Sequence, residues 1–132
     1  MHLVPTAQRR RFAATALATA AAATAVLAQP PAPPAPPADF AICSACHEST
    51  AGAGPSLGPN LFAIGGRKAG AAADYDYSPA MKSSGITWTA ETLAPFILDP
   101  GKAVPGNKMD YPGASDAATA KAIADYLMTL MG

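Results

Sequence analysis

The stretch Cys43-Ser44-Ala45-Cys46-His47 contains the only two cysteines in this chain of 132 residues. Two cysteines separated by two residues and followed directly by a histidine are typical of covalent attachment of a c-type haem. One helical turn separates the two thiols, so both reach the vinyl groups of one porphyrin edge as thioethers. His47 then lies where its imidazole binds the iron. The motif therefore predicts one haem c, attached through Cys43 and Cys46 and ligated by His47.

Two other chemistries use the same spacing of cysteines. A redox-active disulfide of the thioredoxin type needs a βαβ context, and the surrounding sequence has no strand-like alternation. A structural zinc site needs four ligands, whereas the only other histidine, His2, lies in the N-terminal leader-like segment. We therefore favour haem attachment over both alternatives.

A second iron ligand is expected in the stretch Val104-Pro105-Gly106-Asn107-Lys108-Met109. A thioether is a soft, neutral ligand that favours ferrous iron, and His/Met ligation gives the raised reduction potential of an electron carrier. The rigid Pro-Gly approach and the lack of nearby apolar periodicity favour Met109 as a ligand over a packing residue. Three other methionines are rivals, namely Met81, Met128 and Met131, of which the last two fall on or beside a predicted helix face.

Outward from the motif, helical periodicity interrupted by Gly and Pro loops predicts a mostly α fold. A short N-terminal helix, a middle helix and a C-terminal helix are expected at 38–46, 89–99 and 115–131. Thr89 is a good N-cap for the middle helix, and Pro95 inside it predicts a kink or an early end. The C-terminal helix has the clearest pattern, because apolar residues recur along one face. No strand is predicted.

The first 38 residues are expected to form an export signal and a spacer. Residues 1–28 combine a basic stretch, Arg9 to Arg11, with an apolar run from Phe12 to Leu27, as in a cleaved signal peptide. An uncleaved membrane anchor is the alternative, although the apolar run is shorter than a spanning helix usually needs. Residues 29–38 contain six prolines, which predicts an extended, stiff spacer. Residues 39–132 are then the single monohaem domain.

The charge pattern excludes one large class of partner. Beyond residue 28 the chain has six basic and nine acidic residues, a net charge of −3, and a single basic pair, Arg67-Lys68. Nucleic-acid binding needs a basic face that contacts phosphates, so we expect no nucleic-acid partner. A domain of this size is also only marginally stable by itself, and a large apolar cofactor would complete its core.

Six ordered segments of the chain resemble the class I c-type cytochromes, especially the branch shared by mitochondrial and alphaproteobacterial soluble cytochromes c. The segments are Cys43-Ser-Ala-Cys46-His47, Gly58-Pro59-Asn60-Leu61 through Gly65-Gly66-Arg67-Lys68, Tyr75-Asp-Tyr77-Ser, Gly85-Ile86-Thr87-Trp88, Pro105-Gly106-Asn107-Lys108-Met109 and Ile123-Ala124-Asp125-Tyr126-Leu127. The resemblance covers residues 39–130 almost without gaps. It implies the class I cytochrome c fold, in which short N-terminal, middle and C-terminal helices surround one covalent haem.

The resemblance also implies roles for single residues. Pro59 matches the proline whose carbonyl accepts a hydrogen bond from Nδ1 of the iron-ligating histidine. Tyr77 and Trp88 match residues that donate hydrogen bonds to a buried haem propionate, and Arg67 matches an arginine near that propionate. Asn107 replaces the commoner threonine, and its amide is expected to donate to a propionate. The haem is expected to be buried against Leu57, Leu61, Ile64, Ile86, Leu93, Phe96, Ile97 and Leu127.

Three positions depart from the family pattern. Phe96 stands where many members have a tyrosine that hydrogen-bonds the methionine sulfur, so that bond is missing. Met81 stands where asparagine is common, which makes the surroundings of the haem more apolar. The helix before Cys43 is clipped and follows prolines, so its packing against Ile123 and Tyr126 is expected to be weak.

Together these features predict a one-electron carrier and not an enzyme, exported to the periplasm and monomeric. Its expected partners are membrane-bound or periplasmic redox proteins that it contacts transiently. The chain has five lysines, Lys68, Lys82, Lys102, Lys108 and Lys121, so electrostatic steering toward an acidic partner should be weak. The alternatives are the cytochrome subunit of a dehydrogenase, and a haem-based peroxidase or gas sensor with an open distal site. Peroxidase chemistry needs an acid or base over the iron, and no histidine remains to supply one.

Overall fold

The computed structural model describes Ala32 and residues 34–131, so the predicted signal peptide at 1–28 lies outside the described residues. Part of the predicted spacer at 29–38 lies outside them as well. The described part of the spacer contains no helix or strand, and it is exposed except at Pro37, which is half-buried. The first helix begins two residues after the spacer, at Phe40.

Five helices and no strand are found in the described part of the chain. The helices are α1 Phe40–Ser44, α2 Pro79–Ser83, α3 Ala90–Leu98, α4 Pro100–Ala103 and α5 Ala117–Thr129. Within this range, an isolated antiparallel bridge between Lys68 and Thr87 is the only strand-like pairing. The prediction of a mostly α fold is therefore confirmed.

The core lies where α3 and α5 pack against each other. The buried side chains of these two helices are Leu93, Phe96 and Ile97 of α3, and Ala120, Ile123, Ala124 and Leu127 of α5. Because they recur every three or four residues, each helix turns one apolar stripe toward the other. The predicted apolar face of the C-terminal helix is confirmed, although the helix ends at Thr129.

The N-terminal helix is shorter than the sequence predicts. It spans Phe40–Ser44 instead of 38–46, and its N-cap residue Asp39 makes no side-chain capping hydrogen bond. Phe40 is nevertheless only 3% exposed, and its ring meets Tyr126 of α5 edge-on, with the ring centroids 4.8 Å apart. The contact between the rings of Phe40 and Tyr126 therefore packs α1 against α5.

Two of the short helices, α2 and α4, are not predicted by the sequence analysis. Each begins with a proline directly after a capping residue. The hydroxyl of Ser78 accepts a hydrogen bond from the backbone N–H of Met81 at 3.1 Å, and Asp99 accepts one from Lys102 at 3.0 Å. Proline suits the first helical position because no partner is needed there for its missing N–H. A helix of four or five residues is too short to show apolar periodicity, so only its start signal is visible in the sequence.

The middle helix, α3, begins as predicted, with Thr89 as its N-cap. Thr92 donates its backbone N–H to the Thr89 hydroxyl at 3.3 Å, and Thr89 donates its own N–H to the Thr92 hydroxyl at 2.8 Å. This reciprocal pair is a capping box. Pro95 lies inside the helix, which ends one turn later at Leu98. The helix therefore ends where the Asp99-Pro100-Gly101 stop predicts, and Pro95 does not shorten it.

Candidate functional site

A mainly apolar cavity of about 650 Å³ lies next to the Cys43-Cys46-His47 motif. All the residues that the sequence analysis assigns to the haem site line this one cavity: Cys43, Cys46, His47, Pro59, Arg67, Tyr77, Trp88, Asn107 and Met109. They come from stretches that are more than sixty residues apart in the chain. A concave apolar site of this size, with a few polar groups, suits a large cofactor.

Most of the apolar residues expected around the haem also line the cavity: Leu57, Leu61, Ile64, Leu93, Phe96, Ile97 and Leu127. The prediction is wrong for Ile86. Its carbonyl accepts a hydrogen bond from Ala69 at 2.8 Å, in the chain pairing beside the isolated bridge. The side chain borders a separate surface groove together with Val104. The backbone pairing therefore turns Ile86 away from the cavity.

The imidazole of His47 is held by the backbone of the next loop. Its Nδ1 lies 2.7 Å from the carbonyl oxygen of Pro59. Because a carbonyl only accepts hydrogen bonds, Nδ1 carries the proton and Nε2 keeps its lone pair. This arrangement gives the tautomer that binds a metal through Nε2, and a hydrogen bond to Nδ1 raises the basicity of such a ligand. The sequence-based expectation for the Pro59 carbonyl agrees with this geometry.

Gly58 allows the same loop to lie against the ring of His47. A Cβ built at position 58 would lie 2.6 Å from Nδ1 and 2.9 Å from Nε2 of His47. Real side chains do not approach this closely, so only glycine fits beside the imidazole without displacing it. Gly58 also donates its N–H to the Cys46 carbonyl at 2.8 Å, which ties the loop to the motif. Gly58 belongs to a segment that resembles the family, but residue types alone do not predict this contact.

The two thiols lie on one turn that continues beyond α1. Cys46 and His47 both donate their backbone N–H groups to the Cys43 carbonyl, at 3.1 and 2.9 Å. Both cysteines are half-buried, and no disulfide joins them. Burial raises the pKa of the Cys43 thiol. Across the described residues, no cluster of three or more His, Cys, Asp or Glu side chains is placed to hold a metal ion. The site therefore fits thioether attachment of a haem better than it fits a zinc ion.

The loop that carries Met109 is organised by Asn107. The side-chain oxygen of Asn107 accepts a hydrogen bond from the backbone N–H of Met109 at 2.9 Å. The amide nitrogen donates to the carbonyls of Pro100 and Val104, both at 2.8 Å. Both amide protons are therefore already donated to carbonyls. The prediction that Asn107 donates a hydrogen bond to a propionate is wrong, because no proton is left for it. Asn107 instead fixes the backbone in front of Met109.

Three of the polar side chains in the lining are those expected to face a propionate. Arg67 donates to the carbonyl of Asn60 at 2.7 Å through one guanidinium nitrogen, which leaves its other donors available. Trp88 is buried against the ring of Phe96, with centroids 5.1 Å apart, and its indole N–H makes no hydrogen bond to another described residue. Burial raises the pKa of the Tyr77 phenol, which therefore stays protonated and able to donate. These groups offer donors to an anionic substituent of a bound cofactor.

Two of the four candidate methionines line the cavity. Met81 is buried in α2, and Met109 is half-buried in an irregular loop. Met128 and Met131 do not line the cavity, which agrees with their interpretation as packing residues. Phe96 also lines it, in the position where the family resemblance implies a missing hydroxyl. Of the four candidate sulfurs, only those of Met81 and Met109 therefore belong to residues that line the cavity.

The haem-attachment motif, the oriented imidazole and the helical domain define a small c-type haem protein. Cytochrome c2 iso-2 of Magnetospirillum molischianum is 40% identical over 91 residues, which cover 69% of this chain and 93% of that protein. Cytochrome c2 of Rhodoblastus acidophilus is 43% identical over 88 residues, which cover 67% of this chain and 82% of that protein. The solved structure of cytochrome cH from Methylobacterium extorquens matches with a TM-score of 0.62 and 44% identity, over 68% of this chain and 90% of that chain.

No protein-family model matches the chain. The identity and coverage of the relatives nevertheless show that this chain belongs to the class I c-type cytochromes. The resemblance stated from the sequence, the class I fold and one covalent haem c as cofactor are thereby confirmed.

Proposed function

We propose that this chain is a one-electron carrier, and one observation above all supports this function. In a class I cytochrome c fold, a single apolar cavity brings together both thiols of the motif, Met109, and a His47 ring oriented by the Pro59 carbonyl at 2.7 Å. Two relatives that are 40% and 43% identical are named cytochrome c2, which supports electron transfer as the activity.

Each residue around the cavity has a task in this proposal. Cys43 and Cys46 would form the thioethers, and His47 through Nε2 and Met109 through its sulfur would be the ligands of the iron. The haem, when bound, would supply the one-electron redox chemistry. The surrounding apolar side chains exclude water, and the site's donors hold the propionates.

We propose that the protein is not an enzyme, because no acid–base histidine is left for the distal side. The chain has only two histidines, of which His47 is the iron ligand and His2 lies in the predicted signal peptide. A peroxidase reaction needs such a group. The dehydrogenase-subunit alternative keeps the same site chemistry and differs only in how long the protein stays with its partner.

We propose export to the periplasm, with residues 1–28 as signal peptide, 29–38 as spacer and 39–132 as the haem domain. The basic and apolar segments of the N-terminus support this division. In the described range, none of the helices has the length and apolar character needed to cross a bilayer. The partners are then periplasmic or membrane-bound redox proteins, contacted transiently by a monomer.

The test is an absorbance spectrum of the purified mature holoprotein in its reduced and oxidised forms. We expect a c-type α band that stays with the chain after denaturation, and the weak long-wavelength band of iron–thioether ligation in the oxidised form. Met109→Leu should abolish the thioether band. Met81→Leu is the matched control, because it removes the other sulfur in the cavity and should leave the band unchanged.

Other outcomes would reject parts of the proposal. Loss of the band in Met81→Leu, and not in Met109→Leu, would reassign the ligand. A covalent haem that shows no thioether band and binds carbon monoxide readily would mean an open site, and would favour the sensor or peroxidase alternative.

A further inference from the structure

The loop around Tyr75 connects the two segments that carry the iron ligands. On one side, the Tyr75 hydroxyl donates to the carbonyl of Leu57 at 3.1 Å. Leu57 directly precedes Gly58 and Pro59, the residues that hold the ring of His47. The Tyr75 ring is also packed edge-on against the ring of Tyr77, with centroids 4.8 Å apart. Tyr75 is thus anchored at the His47 side of the cavity.

On the other side, the same loop holds the residue directly before Met109. The ammonium group of Lys108 lies 5.0 Å from the centroid of the Tyr75 ring, within the range of a cation–π contact. It also lies 3.3 Å from one carboxylate oxygen of Asp76. The second oxygen of Asp76 lies 3.5 Å from the ammonium group of Lys82 in α2. Hydrogen bonding to Lys108, more than any other cause, lowers the pKa of Asp76, which is therefore ionised at neutral pH.

We propose that Tyr75 and Asp76 form a clasp that keeps the Met109 loop closed over the haem, which makes them positioning residues for the sixth iron ligand. The inference rests on the proposed function, since it takes Met109 as that ligand. Opening the loop far enough to free the sulfur separates Lys108 from both Tyr75 and Asp76, so the two contacts oppose opening together. Asn107 acts differently, because it bonds only within 100–109 and does not tie the loop to another segment.

The clasp is electrostatic and exposed, which gives it a distinctive dependence on salt. The Asp76 side chain is 88% exposed and that of Lys108 is 45% exposed. Exposed ion pairs and cation–π contacts are individually weak, and added salt screens the ion pair. Loop closure should therefore weaken with salt only while the Asp76 carboxylate is present.

The test measures how fast a neutral competing ligand binds the iron in place of the Met109 sulfur. Ferric holoprotein is mixed with imidazole at low salt, and the association rate and the loss of the thioether band are followed together. We expect Asp76→Asn to raise the association rate about threefold, the effect of losing one exposed ion pair. Added salt should raise the imidazole association rate of the unmodified protein toward that of Asp76→Asn. The rate of Asp76→Asn itself should change very little with salt.

Three further variants of this chain make the test specific. Asp74→Asn removes the same charge from the same loop, and Asp74 forms no ion pair with another described residue, so its rate should equal that of the unmodified protein. Asp76→Glu keeps the carboxylate and should restore most of the slow rate. Adding Lys108→Gln to Asp76→Asn should give only a smaller further increase, because the ion pair is already broken and the second change removes the cation–π contact with Tyr75 alone.

The outcomes separate the clasp from the proposed function. If the thioether band is present but Asp76→Asn and Asp74→Asn have the same rate, the clasp is wrong and Met109 ligation stands. If the unmodified protein shows no thioether band and all variants bind imidazole equally fast, Met109 is not the ligand and both proposals fail. An equal loss of global stability to guanidinium chloride in Asp76→Asn and Asp74→Asn, with a matching change in rate, would assign the effect to unfolding and overturn the clasp.

Discussion

The position of the proximal imidazole depends on a residue without a side chain. A methyl group at position 58 would overlap the ring of His47, so Gly58→Ala must push the ring away from the Pro59 carbonyl. Overpacking of this kind costs about 1–3 kcal/mol of folding free energy. We expect Gly58→Ala to lower the stability of the holoprotein by this amount, measured by denaturant unfolding, and to alter the absorption bands and reduction potential set by His47.

A glycine elsewhere provides the control for this change. A Cβ at Gly54 would have no atom within 4 Å, and this residue is not in the left-handed conformation. Gly54→Ala should therefore leave the stability, the spectrum and the potential of the protein unchanged. If both variants behave alike, the contact between Gly58 and His47 does not position the ligand.

At the scale of single residues, the sequence predicts the types of group in the site better than their hydrogen bonds. The motif and the family segments identify His47 and Pro59, and their bond is present at 2.7 Å. Asn107 has the amide that a propionate could use, yet both of its protons are donated to backbone carbonyls. Which donors remain free is decided by the path of the surrounding backbone, and a pattern of residue types does not contain that path.

At the scale of elements, the attachment of α1 to α5 depends on Phe40. Its ring is buried and packs edge-on against Tyr126, in a helix that has no side-chain cap at its start. We expect Phe40→Ala to destabilise the holoprotein by about 3–5 kcal/mol, as for other buried aromatic residues. Thermal unfolding followed by circular dichroism measures this loss.

The matched control lies in the same short helix. Ala41 is exposed and does not line the cavity, so Ala41→Gly should cost no more than about 1 kcal/mol, the difference in helix propensity. Equal effects of the two substitutions would show that helix propensity, and not the aromatic contact, determines the stability of α1.

Elements with a full apolar period are predictable from this sequence, whereas short ones are not. The stripes of α3 and α5 repeat over several turns and are found where the pattern places them. The helices α2 and α4 have four or five residues each and depend on a cap and a proline. The side chain of Ile86 is turned by backbone pairing between distant residues. Such tertiary contacts override local apolar character.

At the scale of the whole molecule, the described domain has few positive charges, and about half of them are paired. Lys82 and Lys108 share the carboxylate of Asp76, and Lys121 pairs with Asp125 one turn along α5. Two apolar side chains, Ile42 and Leu57, are 59% and 75% exposed although both border the cavity. We therefore expect these residues at the rim of the cavity to offer a partner apolar contact more than charge.

Weak charge at the rim predicts a shallow dependence of electron-transfer rate on salt. Steering by a charged surface changes association rates by roughly 10- to 1000-fold, and this gain is lost as salt screens the field. We expect the oxidation of the reduced protein by anionic ferricyanide, and by a cationic cobalt phenanthroline complex, to change far less than this between low and physiological salt. Ile42→Lys places an unpaired cation one residue from Cys43 and should make the ferricyanide rate fall clearly with added salt. A steep fall in the unmodified protein would instead reveal a strong positive field at the rim, and steering toward an acidic partner would then replace apolar contact as the basis of docking.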